Sequence, residues 1–242
     1  MSHFSVPDYD YLSVAEAVAR QKELRKHIVC DDLFDTVRTV GGIDVSVGRQ
    51  GELGYAAVVV LRLPDMRVEE QALASAPVRF PYVPGLLGFR EVPIAVEALN
   101  RLERLPDVLL CDGQGIAHPR RFGLACHLGL LTNIPAIGVA KSRLMGHHAP
   151  VADKRGVWEP LYDGDEVIGA ALRSRPGTKL LYVSPGHRVS LMSAIQLVLR
   201  CITTYRLPEP MRRAHQLVSR RAEGFLVERS AGQRTFWELT KE

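Results

Sequence analysis

The sequence predicts a mixed α/β fold, a β-sheet flanked by helices on both faces. Three observations predict it. Three strand-like segments follow one another with short turns between them, an unbroken apolar run needs cover on both sides, and amphipathic helices then alternate with further strands. A length of 242 residues suits one domain, here expected over 1–242 with a tail from 222 onward of unassigned role. Hydrophobic residues at 46% and charged residues at 24% exclude a disordered, collagen-like or coiled-coil chain. The longest apolar runs, such as 55–61, fall far short of the roughly 20 residues that span a bilayer. No basic stretch leads into an apolar one at the start, so no signal peptide, a cytoplasmic location and no membrane partner are expected. Cys30, Cys111, Cys126 and Cys201 lack zinc or C-x-x-C spacing and are read as reduced thiols. The net charge of +4 is compatible with an acidic polymer as partner without demanding one. Nothing resembles a dimer seam, so a monomer is expected.

In chain order, residues 13–28 read as a helix. Ser13 and Glu16 form a capping box, and Val14, Ala17, Val18, Leu24 and Ile28 share a face. Strands follow at 39–47, 55–63 and 68–76, with turns at 48–54 and at Pro64-Asp65, and the short connections favour antiparallel pairing. Residues 90–105 form a helix with Val92, Ala95, Val96, Leu99 and Leu102 on one stripe. The run 108–111 is a strand covered on both faces. Pro119 is expected to open a helix bearing Leu124, Leu128 and Leu131. Strands at 136–140 and 179–183 enclose a hairpin at 157–172 that turns at Asp163-Gly164. Leu191, Ala194, Ile195, Val198, Leu199 and Ile202 mark an amphipathic helix, and Pro208 and Pro210 start the last one. This order of elements is shared by RNase H-like folds and by several other mixed α/β folds.

Four polar residues sit in unexpected places. Asp44 interrupts a strand and points away from Ile43 and Val45; a solvated sheet face and a functional carboxylate both fit it. Asp112 ends the apolar strand, where ligands gather in α/β sheets and where turn aspartates are also common. Glu91 stands at the expected helix start, where an acid complements the dipole. His215 shares a helical face with Met211 and Val218. If these four meet at one sheet edge, their oxygen-rich donor set suits Mg²⁺ or Mn²⁺ rather than zinc. Such a site supports phosphodiester hydrolysis.

Two long segments then resemble the signatures of the endonuclease V family. They are Pro81-Tyr82-Val83-Pro84-Gly85-Leu86-Leu87-Gly88-Phe89-Arg90-Glu91 and the stretch from Asp112-Gly113-Gln114-Gly115 through His118-Pro119-Arg120-Arg121 to Cys126-His127-Leu128-Gly129. Gly41-Gly42-Ile43-Asp44-Val45-Ser46, Gly138-Val139-Ala140-Lys141-Ser142, Tyr182-Val183-Ser184-Pro185-Gly186-His187-Arg188 and Arg206-Leu207-Pro208-Glu209-Pro210 are similar to further blocks of that family. The likeness runs from about Ser13 to His215. Gly88 and Cys126 depart from the pattern, and the tail after Ala222 lies outside it.

The resemblance implies an RNase H-like mixed β-sheet flanked by helices on both faces. It also implies a Mg²⁺-dependent DNA repair endonuclease, with Mn²⁺ as substitute. The substrate would be double-stranded DNA holding a deaminated base, chiefly deoxyinosine, cut at the second phosphodiester bond 3′ to the lesion to leave 3′-OH and 5′-phosphate ends. Asp44, Asp112 and Glu91 would hold the metal, Glu91 directly or through water. His215 would position the nucleophile or a second metal, and Lys141 would steady the scissile phosphate. Pro81, Tyr82, Val83 and Pro84 would form a stiff DNA-binding wedge that fills the gap left by an extruded base. Gly85, Leu86 and Gly113 would border the lesion pocket, where backbone groups could tell hypoxanthine from adenine. His118 and His127 are read as structural or close to DNA, and Arg120, Arg121, Arg188, Arg212 and Arg213 as candidate phosphate contacts. An inosine-specific endoribonuclease acting on inosine-containing RNA is an alternative, since the choice depends on contacts near the 2′-hydroxyl. A non-catalytic binder of deaminated nucleic acid is another.

Overall fold

The computed structural model describes residues 3–47 and 53–222. Eight strands form one sheet: β1 (Thr39–Val47), β2 (Leu53–Arg62), β3 (Arg67–Pro77), β4 (Val108–Cys111), β5 (Ala136–Ala140), β6 (Trp158–Asp163), β7 (Glu166–Leu172) and β8 (Leu181–His187). Their order across the sheet is β3-β2-β1-β4-β5-β8-β7-β6. The β1–β2–β3 meander is antiparallel, as its short connections predict, β4 lies parallel to both β1 and β5, and β8, β7 and β6 return antiparallel. The turn expected at 48–54 falls largely outside the described residues.

Among the described residues there are five α-helices: α1 (Val14–Leu24), α2 (Leu87–Asn100), α3 (Leu124–Thr132), α4 (Leu191–Arg200) and α5 (Glu209–Ala222). Helices α2 and α3 cover one face of the sheet, and α4 and α5 the other. Strand β4 is therefore dry on both sides: Val108, Leu109, Leu110 and Cys111 are fully buried, alternating between the two cores. Among the described residues no helix is long and apolar enough to cross a membrane. All four cysteines are free thiols, three buried and Cys30 half-buried.

The sequence signals that worked are local. The Ser13 hydroxyl accepts from the Glu16 amide at 3.2 Å, and the Glu16 carboxylate accepts from the Ser13 amide at 2.8 Å, so the capping box starts α1. The helix then tightens into a 3-10 turn at Arg25–His27. The hairpin between β6 and β7 turns through Gly164 at φ 61°, a left-handed conformation that favours glycine.

Three elements depart most from expectation. Helix α2 begins at Leu87 rather than 90 and ends at Asn100 rather than 105. Gly88 argues against a helix by propensity, yet a Cβ there would meet the His127 ring at 2.8 Å, so close packing of α2 on α3 overrides propensity. Glu91 thus stands in the second turn of α2 and is not a charge at a helix start. Pro119 does not open α3, which begins at Leu124 with Gly123 as N-cap. Instead residues 113–123 fold back on themselves: the Gly123 amide donates to Gly115 O (3.0 Å) and the Gly115 amide to the Ser184 hydroxyl (2.8 Å). Strand β8 starts two residues late and runs on through Pro185 and Gly186, with a register shift in its pairing to β5.

The parallel register of β1 and β4 is secured at its start by Asp107. Its Oδ2 accepts from the Arg38 and Thr39 amides, both at 2.8 Å, and from the Thr39 hydroxyl at 3.0 Å, while the Asp107 amide donates back to that hydroxyl at 3.1 Å. Asp107→Ala removes the acceptor from all three donors at a solvent-exposed point. It is expected to cost about 1–2 kcal/mol, read as a Tm lowered by roughly 2–8 °C in thermal unfolding.

Candidate active site

Register brings the first two carboxylates together. Ile43 of β1 pairs with Cys111 of β4, so Asp44 and Asp112 are the next residues on neighbouring parallel strands, and the Asp112 amide donates to Ile43 O at 3.3 Å. Asp44 shares a face of β1 with Val40 and Gly42, the face covered by α5. A Cβ on Gly42 would meet the Pro210 backbone at 2.1 Å, so α5 lies directly on the strand. That approach carries His215, two turns along α5, to Asp44: Nδ1 and Oδ2 are 2.9 Å apart. An ionised carboxylate only accepts, so Nδ1 carries the hydrogen. Lys141 follows the last residue of β5, and its ammonium pairs with Asp112 Oδ2. Glu91 reaches the group from α2, across the end of the sheet, without a hydrogen-bond partner among the described residues.

The electrostatics identify a deficit of positive charge. Burial, then the charge of Asp112, pushes Asp44 up to about 6 against the pull of His215 and Lys141. Burial, then the charges of Asp44 and Asp112, pushes Glu91 up to about 8 against the pull of Arg90. Three carboxylates repelling one another in a half-dry site suit a hard dication, and oxygen donors with one imidazole and no thiolate are the wrong set for a structural zinc. Among the described residues no three His, Cys, Asp or Glu side chains already stand as a coordinating group. Lys141 and His215 instead occupy one oxygen each of Asp112 and Asp44.

The segment 81–84 projects beside these carboxylates. Pro81, Tyr82 and Pro84 are exposed, Tyr82 at 68%, while Val83 turns inward onto a small cluster with Phe80 and Leu86. At its foot lies a cavity of about 120 Å³. Tyr82, Pro84, Gly85 and Gly113 line it, and so do Glu91 and Asp112, so wedge, cavity and carboxylates form one continuous surface. Leu86 does not line the cavity: its side chain is buried in the Phe80 cluster. Gly85 has φ 79°, and a Cβ there would meet the Arg120 guanidinium at 2.8 Å. Gly113 is under no such demand, since a Cβ would find only ordinary contact with Leu124. No side chain caps α2, and Gly85, Leu87 and Gly88 bring its uncapped start to the cavity wall.

The five candidate arginines are all bonded to other groups of the protein. Arg120 bonds Gln21 and Gly85 O; Arg121 pairs with Asp163 (2.6 Å) and Glu166 (2.7 Å); Arg188 donates to Asn133 (2.6 Å) and Leu33 O (3.1 Å). Arg212 and Arg213 both pair with the buried Glu209. His127 is buried, bonded to the Tyr9 hydroxyl at 2.7 Å, and burial pushes it down to about 3, so it stays neutral. His118 holds Gly85 O at 3.0 Å. Sequence reasoning missed Gln21, Phe122 and Leu144, which also line the cavity. Gln21 did carry a signal, because it stands between Ala17 and Leu24 on the inward stripe of α1, a polar residue at an apolar position.

Comparison with known proteins agrees with this fold. The Endonuclease V family profile matches residues 22–216. An Endonuclease V of Trichormus variabilis is 52% identical over 211 residues, 87% of this chain and 96% of the relative. The crystal structure of the Endonuclease V from Streptomyces avermitilis superposes with a TM-score of 0.86 at 41% identity, covering 91% of this chain and 97% of that one. Ciona intestinalis Endonuclease V, in complex with a 24mer DNA containing an inosine followed by a ribo-adenosine, superposes with a TM-score of 0.77 at 30% identity over 88% and 99% of the two chains. The fold and the length of the match leave one assignment: the chain belongs to the endonuclease V family.

Proposed function

We propose that this chain is a DNA repair endonuclease for deaminated bases, chiefly deoxyinosine. It hydrolyses the second phosphodiester bond 3′ to the lesion and leaves 3′-OH and 5′-phosphate ends. The observation that carries the proposal is the shared surface: Glu91 and Asp112 belong both to the carboxylate group and to the cavity at the foot of Tyr82. The relative from Ciona intestinalis, bound to inosine-containing DNA, supports the choice of ligand.

Asp44, Asp112 and Glu91 fit Mg²⁺, with Mn²⁺ as a substitute. Bound there, the ion supplies Lewis-acid stabilisation of phosphoryl charge and lowers the pKa of a water. The protein's own groups do the rest. His215, oriented through Nδ1 by Asp44, keeps Nε2 as the nitrogen able to hold or take a proton at the attacking water. Lys141, a compact charge beside Asp112, steadies the phosphate in the transition state. Tyr82 stands out on a segment stiffened by two prolines and takes the place of the extruded base. The amide hydrogens at the uncapped start of α2 meet the keto oxygen of hypoxanthine, where the amino group of adenine would set donor against donor.

A labelled duplex with one deoxyinosine tests this reading. With Mg²⁺, one nick at the second bond 3′ to the lesion is expected, and equal cutting of an undamaged duplex would overturn the proposal. Asp112→Asn is expected to lower the rate by about a thousandfold or more. Tyr82→Ala should cost about 10–100-fold in kcat/KM through lost stacking. A matched inosine-containing RNA in competition decides between DNA and RNA as the preferred strand.

The raised carboxylates predict a stability effect of definite sign. Glu91 titrates near 4.5 when unfolded and about 8 when folded, and Asp44 near 3.8 and about 6. The folded state binds more protons across that window, so the stability these groups permit at pH 4 is lost as pH rises toward 8. In EDTA, Glu91→Gln is therefore expected to be more stable than wild type at pH 8 and indistinguishable near pH 4, with nicking lost. Thermal unfolding of the two chains across pH, with and without Mg²⁺, measures the difference.

A further inference from the structure

Gln21 is buried on α1, far in sequence from any catalytic group, yet it touches both walls of the cavity. Its Nε2 donates to Gly85 O at 3.0 Å and to Phe122 O at 2.7 Å, and its Oε1 accepts from Arg120 Nε. Gly85 precedes α2 and Phe122 precedes α3, so one carboxamide ties together the two loops that border the ligand space. Both of its amide hydrogens are used, which fixes the orientation of the group.

The Gly85 carbonyl is the point of convergence. Besides Gln21, it accepts from Arg120 Nη2 at 2.7 Å and from His118 Nε2 at 3.0 Å. The Arg120 amide donates to His118 Nδ1 at 3.2 Å, so Nδ1 is the acceptor nitrogen and Nε2 carries the hydrogen. A carbonyl oxygen has two lone pairs, and three donors saturate it. The guanidinium of Arg120 has no carboxylate partner among the described residues. A cation aimed at a carbonyl is a strong donor, and its Nη2 lies only 2.8 Å from where a Cβ of residue 85 would be.

This arrangement has a chemical consequence. With its oxygen occupied, Gly85 cannot accept from a ligand, and the adjoining start of α2 offers only amide hydrogens. We propose that the Gln21–Arg120–His118 clamp sets base specificity: by sequestering the Gly85 carbonyl it makes this wall of the cavity donor-only, favouring a base that presents a keto oxygen and rejecting one that presents an amino group. The inference rests on the proposed function and assigns Gln21 as a positioning residue, acting through the Gly85 loop.

The test compares duplexes carrying deoxyinosine or deoxyadenosine at the same site. Single-turnover nicking and divalent-free binding by fluorescence anisotropy are measured for wild type, Gln21→Met, Gln21→Glu and Arg120→Lys. Gln21→Met keeps volume and loses all three bonds, whereas Gln21→Glu keeps the contact to Arg120 and loses both donated hydrogens. Both are expected to lower the inosine-over-adenine preference by about tenfold or more, the scale of one or two lost hydrogen bonds. Arg120→Lys, which changes no residue of α1, should lower it in the same direction and carries the test if either Gln21 variant unfolds. A loss of nicking and binding in equal proportion on both duplexes, with the preference intact, would make the clamp purely structural and overturn the inference. Wild type without any preference would remove the proposed function and this inference together, whereas a wild-type preference retained in the variants overturns the clamp alone.

Discussion

The parallel pairing of β1 with β4 is the constraint on which the site depends. A shift of one residue would move Asp44 to the opposite face of its strand and away from Asp112. The register is held from both ends. Asp107 staples the entry of the two strands, and the Asp112 amide closes on Ile43 O at the exit. Between them the strands are packed on both faces, so no side chain can change sides without exposing a core. The contact of Pro210 on Gly42 adds the third dimension, since it sets how closely α5 approaches and hence where His215 meets Asp44.

That scaffold stability is partly spent at the site. Asp44 and Glu91 are held where burial and mutual repulsion oppose their charge, an arrangement that a packed domain tolerates only because many apolar contacts outweigh it. Lys141 and His215 offset part of the repulsion. Each also covers an oxygen that a metal cation would use, so Lys141 and His215 hold the carboxylates in place without removing the deficit. Glu91 has neither partner, and its upward shift is larger than that of Asp44. Perturbation of this kind at a cleft is a physical signature of function rather than of architecture.

Much of this was legible in the sequence because the signals were local. The apolar run 108–111, the alternation around Asp44 and the capping box at Ser13 each translate directly into an element, and all three stand where expected. The failures share a cause. Gly88 and Pro119 send strong local messages that tertiary packing overrules: Gly88 lets α2 approach His127, and the glycines around Pro119 let a loop fold against β8. The misjudged start of α2 in turn made Glu91 look like a helix-dipole charge. The Leu86 side chain docks into the Phe80 cluster, as suits a leucine between an exposed turn and a helix. Gln21 was overlooked for the opposite reason: its partners lie 64 and more residues away, and only its place on an apolar stripe hinted at them.

A basic chain invites the reading that its guanidinium groups grip phosphates, and five were candidates for that role. In the structure they are occupied instead: Arg121 docks the β6–β7 hairpin, Arg188 ties the segment before β1 to the end of α3, Arg212 and Arg213 brace the start of α5, and Arg120 holds Gly85. The partners of Arg212 and Arg213 are buried and that of Arg120 half-buried, so a bond from these three to DNA would break one inside the protein; Arg121 and Arg188 hold exposed partners. Recognition of the base in the proposed function falls on the exposed ring of Tyr82 and the cavity beneath it. Such a division favours reading one abnormal base over gripping any duplex that passes, which is the selectivity a lesion-directed nuclease requires.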